Sequence, residues 1–312
     1  MKIFKNNQRT KNAAIAFIMG ITMMVMVLSD VVSVSAAGTT EQYYVDATEA
    51  LLDIFCLGDT TSYVNLGLGT SADAYAAYDE NVGIIMSALV TKAGAEIYYS
   101  SFQERIEKML SKAAYRVDST TVQGNSVVVT VSYQQFGYFQ KVEQYYKEYI
   151  KALVNGWLED PSSIEDSDDV VESMFAALLL SMDKALENAT YTSVAQARVN
   201  IGSDIAGNLM GFIYSKLFDM NKVSAYVTVD EDGVEIRGYA ANHSLYSWTD
   251  SDDIYIGEWE NDIINGKGIY VWGDGDVYAG SWKDGKKNGY GIYVWEDGQV
   301  YKGQWVNGVR SR

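Results

Sequence analysis

The sequence predicts an α+β body, with several helices on a small antiparallel sheet, followed by an all-β repeat of stacked hairpins. Three observations point to this architecture. Residues 38–250 place apolar side chains at helical spacing and interrupt them with two β-branched stretches. Residues 254–312 repeat themselves at a period of 23. Residues 1–37 have the order of an export signal and stand apart from both.

The elements of the body follow in order. Thr39 and Thr40 can cap a helix from Glu41 to about Leu57, with Tyr44, Ala47, Leu51, Ile54 and Phe55 on one face and Gly58-Asp59 as its stop. Thr70-Ser71 opens a second helix through Ala74, Ala77, Val82, Ile85 and Leu89, and a third runs from Ala93 to Ala114. Tyr115–Val122 and Ser126–Tyr133, joined by Gln123-Gly124-Asn125, read as a hairpin because Val127, Val128, Val129 and Val131 are β-branched. A helix from about Phe139 to Trp157 comes next, then an acidic loop from Glu159 to Asp169 that holds Pro161. Asp169 and Glu172 have the spacing of a capping box for an apolar helix through Met174, Leu178 and Met182. A further helix covers about Val194 to Phe218. Val223–Val229 and Val234–Tyr239 form a second hairpin around an acidic, glycine-terminated turn. Together the hairpins make a sheet of about four strands. Through Gly58-Asp59, Tyr63-Val64, Thr70-Ser71 with Tyr75 and Tyr78, and Tyr115-Arg116-Val117, the segment 41–238 resembles a group of uncharacterised extracellular domains from Gram-positive bacteria, a resemblance that implies no activity.

Composition excludes several kinds of chemistry. The 312 residues include one Cys, one His and one Pro, with 24 Tyr and 7 Trp. A lone Cys56 makes no internal disulfide, cysteine zinc site or iron–sulfur centre, and no cofactor is expected. Cys56, between Phe55 and Leu57 on a core-facing helix, reads as a small buried hydrophobe, and His243 as a surface residue rather than a base. The acidic clusters Glu165–Asp169 and Asp230–Asp232 lack EF-hand spacing and read as a loop and a turn. The net charge of −17 and the absence of a basic run argue against nucleic acid. Paired carboxylates of a glycosidase type depend on spatial pairing, so an enzyme site in the body stays open as an alternative.

The amino terminus carries Lys2, Lys5, Arg9 and Lys11, an apolar run from Ala13 to Leu28, and small residues at Val34-Ser35-Ala36-Ala37. A signal peptide over 1–37, cleaved after Ala36 or Ala37, is expected, and with it a secreted or cell-surface bacterial protein. The other reading is an uncleaved membrane anchor, for which the run is short against the roughly 20 residues of a spanning helix. Removal of the signal would take the charge to −20, of which residues 255–312 contribute −1.

The repeat is the strongest signal. Its units begin Tyr255-Ile-Gly257-Glu-Trp259, Tyr278-Ala-Gly280-Ser-Trp282 and Tyr301-Lys-Gly303-Gln-Trp305, and occupy 255–277, 278–300 and, in part, 301–312. The first two continue with Gly266-Lys-Gly268-Ile-Tyr270-Val-Trp272 and Gly289-Tyr-Gly291-Ile-Tyr293-Val-Trp295, and close on Asp274-Gly275 and Asp297-Gly298. In a strand, residues i, i+2 and i+4 share a face, so bare glycines stand beside large rings and leave slots into which neighbouring rings fit. Each unit is then a hairpin, and successive hairpins stack into one twisted sheet.

This 23-residue pattern resembles the MORN (membrane occupation and recognition nexus) repeat, departing from it where Asp262 stands in place of the glycine found at Gly285 and Gly308, and where the third unit lacks its second strand. The resemblance implies β-hairpin repeats that mediate protein association or surface attachment, without implying which; the sequence itself shows no catalytic constellation, so a non-enzymatic protein is expected. The binding residues it points to are Tyr255, Gly257, Trp259, Gly268, Tyr278, Gly280, Trp282, Gly291, Tyr301, Gly303 and Trp305. A strand around Tyr301–Val306 with an unpaired edge would suit a second copy or another protein, through Tyr301 and Trp305; a membrane surface or cell wall is a further possible partner. A module binding cell-wall carbohydrate or choline through its aromatic faces is the alternative.

Overall fold

The computed structural model describes residues 41–89, 98–123, 126–160, 163–164, 166–201, 205–218, 223–229, 235–241, 245–248, 253–261 and 263–311. The signal segment, the Thr39-Thr40 cap, the Gly124-Asn125 turn, Pro161, the Asp230–Asp232 cluster, His243 and Asp262 lie outside them. The chain divides into two compact units: residues 1–137 with 189–219, and residues 138–188 with 220–312. The second joins a pair of helices from mid-chain to the repeats, a grouping that differs from the boundary drawn near residue 250 from the sequence.

In the first unit, helix α1 (Glu41–Leu57) is followed by a short α2 (Thr61–Asn65), α3 (Ser71–Leu89) and α4 (Tyr99–Leu110). Strands β1 (Ala114–Gln123) and β2 (Ser126–Gln134) pair antiparallel as expected, from Tyr115 opposite Tyr133 to Val122 opposite Val127. Thr70 and Asp73 form a reciprocal cap at the start of α3: the Thr70 N–H donates to the Asp73 carboxylate (2.9 Å) and the Asp73 N–H to the Thr70 hydroxyl (3.2 Å). α1 packs on β1 and β2 and against the other three helices. Its Leu52, Ile54, Phe55 and Cys56 are buried, as are Ile85, Phe102, Ile106, Val129 and Val131 around them. Burial raises the Cys56 thiol pKa far above its ordinary value, so this cysteine is an apolar core residue.

One expected helix is corrected here. Residues 195–200 form strand β3 (Ala195–Asn200) and the helix begins only at α7 (Ile205–Phe212), continuing as one π-helical turn over Ile213–Leu217. Ala, Gln and Arg favour a helix, but β2 offers an open edge, and β3 pairs along it from Val128 opposite Asn200 to Tyr133 opposite Ala195. Among the described residues the body sheet therefore has three strands, in the order β1-β2-β3.

The second unit contains α5 (Tyr138–Glu159), α6 (Ser167–Asn188) and strands β4 (Val223–Val229), β5 (Glu235–Ala241), β6 (Leu245–Trp248), β7 (Ile254–Glu260), β8 (Ile263–Val271), β9 (Val277–Lys283), β10 (Lys286–Val294), β11 (Val300–Val306) and β12 (Val309–Arg310). Among the described residues β4 to β12 form a single antiparallel sheet in chain order. The second expected hairpin is present as β4–β5, but it extends the repeat sheet instead of completing the body sheet. The cap of α6 also lies one turn earlier than expected: Asp166 accepts the N–H groups of Asp168 (2.9 Å) and Asp169 (3.1 Å), while the Asp166 N–H donates to the Asp169 carboxylate (3.4 Å). α5 and α6 pack on each other, and the Tyr146 hydroxyl donates to the Met174 carbonyl (3.3 Å). No helix among the described residues is long and apolar enough to cross a membrane.

Candidate functional site: the aromatic face of the repeat sheet

Register turns the 23-residue period into straight rows across the sheet. Tyr255, Tyr270, Tyr278, Tyr293 and Tyr301 stand opposite one another in successive strands, and so do Gly257, Gly268, Gly280, Gly291 and Gly303. These two rows share one face. The alternate rows, Ile256-Ile269-Ala279-Ile292 and Val271-Val277-Val294, occupy the other face and are buried. Helix α5 lies against β7, β8, β9 and β10, and the Lys151 ammonium meets the Glu258 carboxylate at 2.8 Å. Glu258 belongs to the aliphatic face, which places α5 there. The aliphatic rows are thus an internal interface, and the aromatic rows face away from α5.

The hairpin tips explain why the strands hold this register. Asp284-Gly285 and Asn307-Gly308 all have positive φ (51° and 78°, 51° and 86°), the type I′ geometry whose twist matches that of the strands it joins. Asn261 adopts the same φ of 51° in the first repeat. Between repeats, the Gly275 N–H donates to the Trp272 carbonyl (3.0 Å) and the Gly298 N–H to the Trp295 carbonyl (2.9 Å).

On the aromatic face all eleven expected residues come together. Each leading tyrosine lies flat over glycine backbone. A Cβ on Gly268 would stand 2.6 Å from the Tyr255 ring, and one on Gly291 would stand 2.5 Å from the Tyr278 ring. Paired glycines are in equally close contact, with 2.6 Å between a Cβ on Gly280 and the Gly291 Cα. The ring covers its own strand's glycine as well as the neighbour's, which extends the slot argument made from the sequence. Each phenol then donates to the carbonyl three residues on: Tyr255 to Glu258 (3.0 Å), Tyr278 to Ser281 (2.9 Å) and Tyr301 to Gln304 (3.4 Å).

The indoles complete two lanes. In the first, rings meet edge to face in the order Trp259, Tyr255, Trp282, Tyr278, Trp305, Tyr301, with centroids 5.0–5.7 Å apart and planes at 82–87°. In the second, Tyr270, Trp272, Tyr293 and Trp295 stack with tilts of 33–46° at 4.4–5.4 Å. Tyr255, Tyr278, Trp282 and Trp305 are buried, while Trp259, Trp272, Tyr293 and Tyr301 are partly so.

Sequence reading missed two residues of this site. Asp253 accepts from the Tyr270 hydroxyl (2.9 Å) and the Gly273 N–H (2.7 Å), and Asp276, one period later, accepts from the Tyr293 hydroxyl (2.6 Å) and the Glu296 N–H (2.9 Å). Each carboxylate ties a ring of the second lane to the next turn. Their 23-residue spacing was the available signal, obscured because Gln299 breaks the series in the third unit.

The expected free edge also needs correction. Residues 307–311 fold back, so β12 pairs with Trp305 and Val306, and the Ser311 N–H donates to the Gln304 carbonyl (2.7 Å). One end of β11 is therefore covered by residues 309–311, because Asn307-Gly308 makes the same type I′ turn as Asp284-Gly285.

Burial raises the Tyr255 pKa well above 10, and the Glu258 charge adds to this. Burial raises Tyr278 likewise. A raised pKa in the folded state contributes stability that is complete below the unfolded phenol's value near 10 and is lost as pH rises toward the folded value. Denaturant midpoints followed by tryptophan fluorescence should therefore fall steeply above about pH 10. Tyr278→Phe should flatten that fall; an identical alkaline slope in the variant would contradict the assignment.

Among the described residues no group of three or more His, Cys, Asp or Glu could hold a metal ion. In comparisons with known proteins, the MORN repeat matches residues 255–277, 278–300 and 301–311. The search of curated proteins returned no match. Residues 255–311 of the sheet, strands β7 to β12, are thus MORN repeats, and the tyrosine and glycine rows run through them.

Proposed function

We propose that the three MORN repeats are the association module of an exported, non-enzymatic protein, and that the contact is made by the outer rings of the aromatic face. One observation carries the reading. The buried lane and the Asp253 and Asp276 clamps hold Trp259, Trp272, Tyr293, Trp295 and Tyr301 in fixed, partly exposed positions. Rigid aromatic anchors of this kind lose little entropy on binding and dominate the energetics of protein interfaces. The near-neutral charge of residues 255–312, beside a strongly acidic remainder, favours contact through the repeats over the rest of the chain.

The test is recovery of a partner from the surface of the native cell by the full chain and by a Trp295→Ala, Tyr301→Ala variant. The reading expects the variant, with an unchanged far-UV spectrum, to lose at least about ten-fold in recovery. Equal recovery would reject the aromatic face as the contact. Liposome co-sedimentation in parallel separates a membrane surface from a protein partner. Export is checked on the same material: the amino terminus of the extracellular protein should begin at Ala37 or Gly38.

A further inference from the structure

The two aromatic lanes meet in a cage, where the Tyr293 ring centroid stands 5.8 Å from that of Trp305. The Lys287 ammonium stands 4.9 Å from the Trp272 ring centroid, 4.9 Å from that of Tyr293 and 5.0 Å from that of Trp305. These rings come from the end of β8, from β10 and from β11. Lys287 is only 5% exposed, although lysine is among the residues least often buried. An ammonium is costly to remove from water, and ring faces are among the few apolar surfaces that attract it.

The period shows that the lysine and its rings belong together. Ile264, Lys287 and Arg310 are the same position in the three repeats, opposite Trp259, Trp282 and Trp305. One period before the cage, Tyr270 and Trp282 hold the places of Tyr293 and Trp305, but the place of Trp272 falls to Thr249 in the sequence. There the plug is Ile264, buried in the same cluster as Tyr270 and Trp282. Where an indole takes the third place, the plug is a cation. In the third repeat Trp295 holds the Trp272 place, and the Arg310 guanidinium lies 5.3 Å from both the Trp295 and Tyr301 rings.

We propose that Trp272, Tyr293 and Trp305 form a built binding site for a primary alkylammonium group, and that Lys287 is its tethered ligand. The site is filled from within, so it is closed to choline-type cations from outside. Choline in this particular cage would need the lysine removed. The proposal is independent of the association reading, since it concerns a site that the folded chain already occupies.

The experiment uses the full chain with Lys287→Ala, which deletes the side chain beyond Cβ, and n-propylammonium, which replaces the missing atoms. Tryptophan fluorescence and the thermal midpoint are read against n-propylammonium and, as a neutral match, n-propanol. The proposal expects saturable binding of the ammonium to the variant, with a raised midpoint and an affinity at least about ten-fold above that of the alcohol. Wild type and Lys287→Met, which refills the cage without charge, should show no saturable response. Equal binding of the two probes, no binding by a folded variant, or the same binding by wild type would each overturn it. If Lys287→Ala does not fold, the wild-type NMR spectrum decides. The Lys287 ε-methylene protons should resonate far upfield of ordinary lysine, under three ring currents, and an ordinary shift would sink the proposal.

Discussion

Gly291→Ala should destabilise the repeat sheet by about 3 kcal/mol, the upper part of the usual range for overpacking a core. The new methyl would lie 2.5 Å from the Tyr278 ring, and that ring has nowhere to retreat. Its edge contacts with Trp282 (5.0 Å) and Trp305 (5.5 Å) hold it from both sides, and its hydroxyl is tied to the Ser281 carbonyl. Yielding would therefore move three rings together. Gly156→Ala in α5 is the matched control. A methyl there meets nothing within 4 Å, and replacing a mid-helix glycine should add about 0.5–1 kcal/mol of stability. Urea unfolding followed by tryptophan fluorescence reads both variants, because every tryptophan of the chain belongs to the second unit. A Gly291→Ala midpoint equal to wild type would dispose of the ring-over-glycine account.

Asn81→Leu should cost the first unit about 1–3 kcal/mol, mainly through the Phe55 carbonyl left without its side-chain donor, while the Tyr214 hydroxyl keeps its contact with the Met210 sulfur (3.8 Å). Asn81 is fully buried in α3. Its amide N–H donates to the Phe55 carbonyl (2.7 Å), and its amide oxygen accepts from the Tyr214 hydroxyl (2.7 Å). The Phe55 carbonyl sits in the last turn of α1, and the next candidate donor, the Asp59 N–H, bonds back to Asp53 instead (3.3 Å). One amide thus closes a helix terminus and fixes the π-helical turn at Tyr214. Leucine has a similar volume and could serve neither. Urea midpoints by far-UV circular dichroism measure the loss, and a change below about 1 kcal/mol would mean that water replaces the amide at the Phe55 carbonyl.

The sequence made some of this legible and hid the rest for identifiable reasons. The hairpin at 115–133 and the repeats show themselves through local pattern, because β-branched runs, Asx-Gly turns and a fixed period need no distant partner to be recognised. The strand at 195–200 is hidden: its residues favour a helix, and only the open edge of β2, some 65 residues away, makes them a strand. The joining of α5 to the repeat sheet is hidden for the same reason. The aliphatic row of Ile269, Ala279 and Ile292 is also visible at the 23-residue period, but these small and branched residues recur in any buried strand and carry no signal of a helix above them. The Lys287 cage needed both the register and the bulge that aims this residue at the rings, and neither can be read from one unit of the repeat.

Helix α5 acts as a gauge for the array. Its contacts run across β7 to β10, over which the aliphatic row reads Ile256, Ile269, Ala279, Ile292. In the next strand the same row passes to Lys302. The tyrosine and glycine rows could in principle continue through any number of units, since every rung repeats the one before. The opposite side cannot lengthen so freely, because each added pair of oily strands would require more helix to shelter it, or a charged substitute such as this lysine. The sheltered side of the array thus depends on a segment encoded about a hundred residues upstream, as the Lys151–Glu258 pair shows.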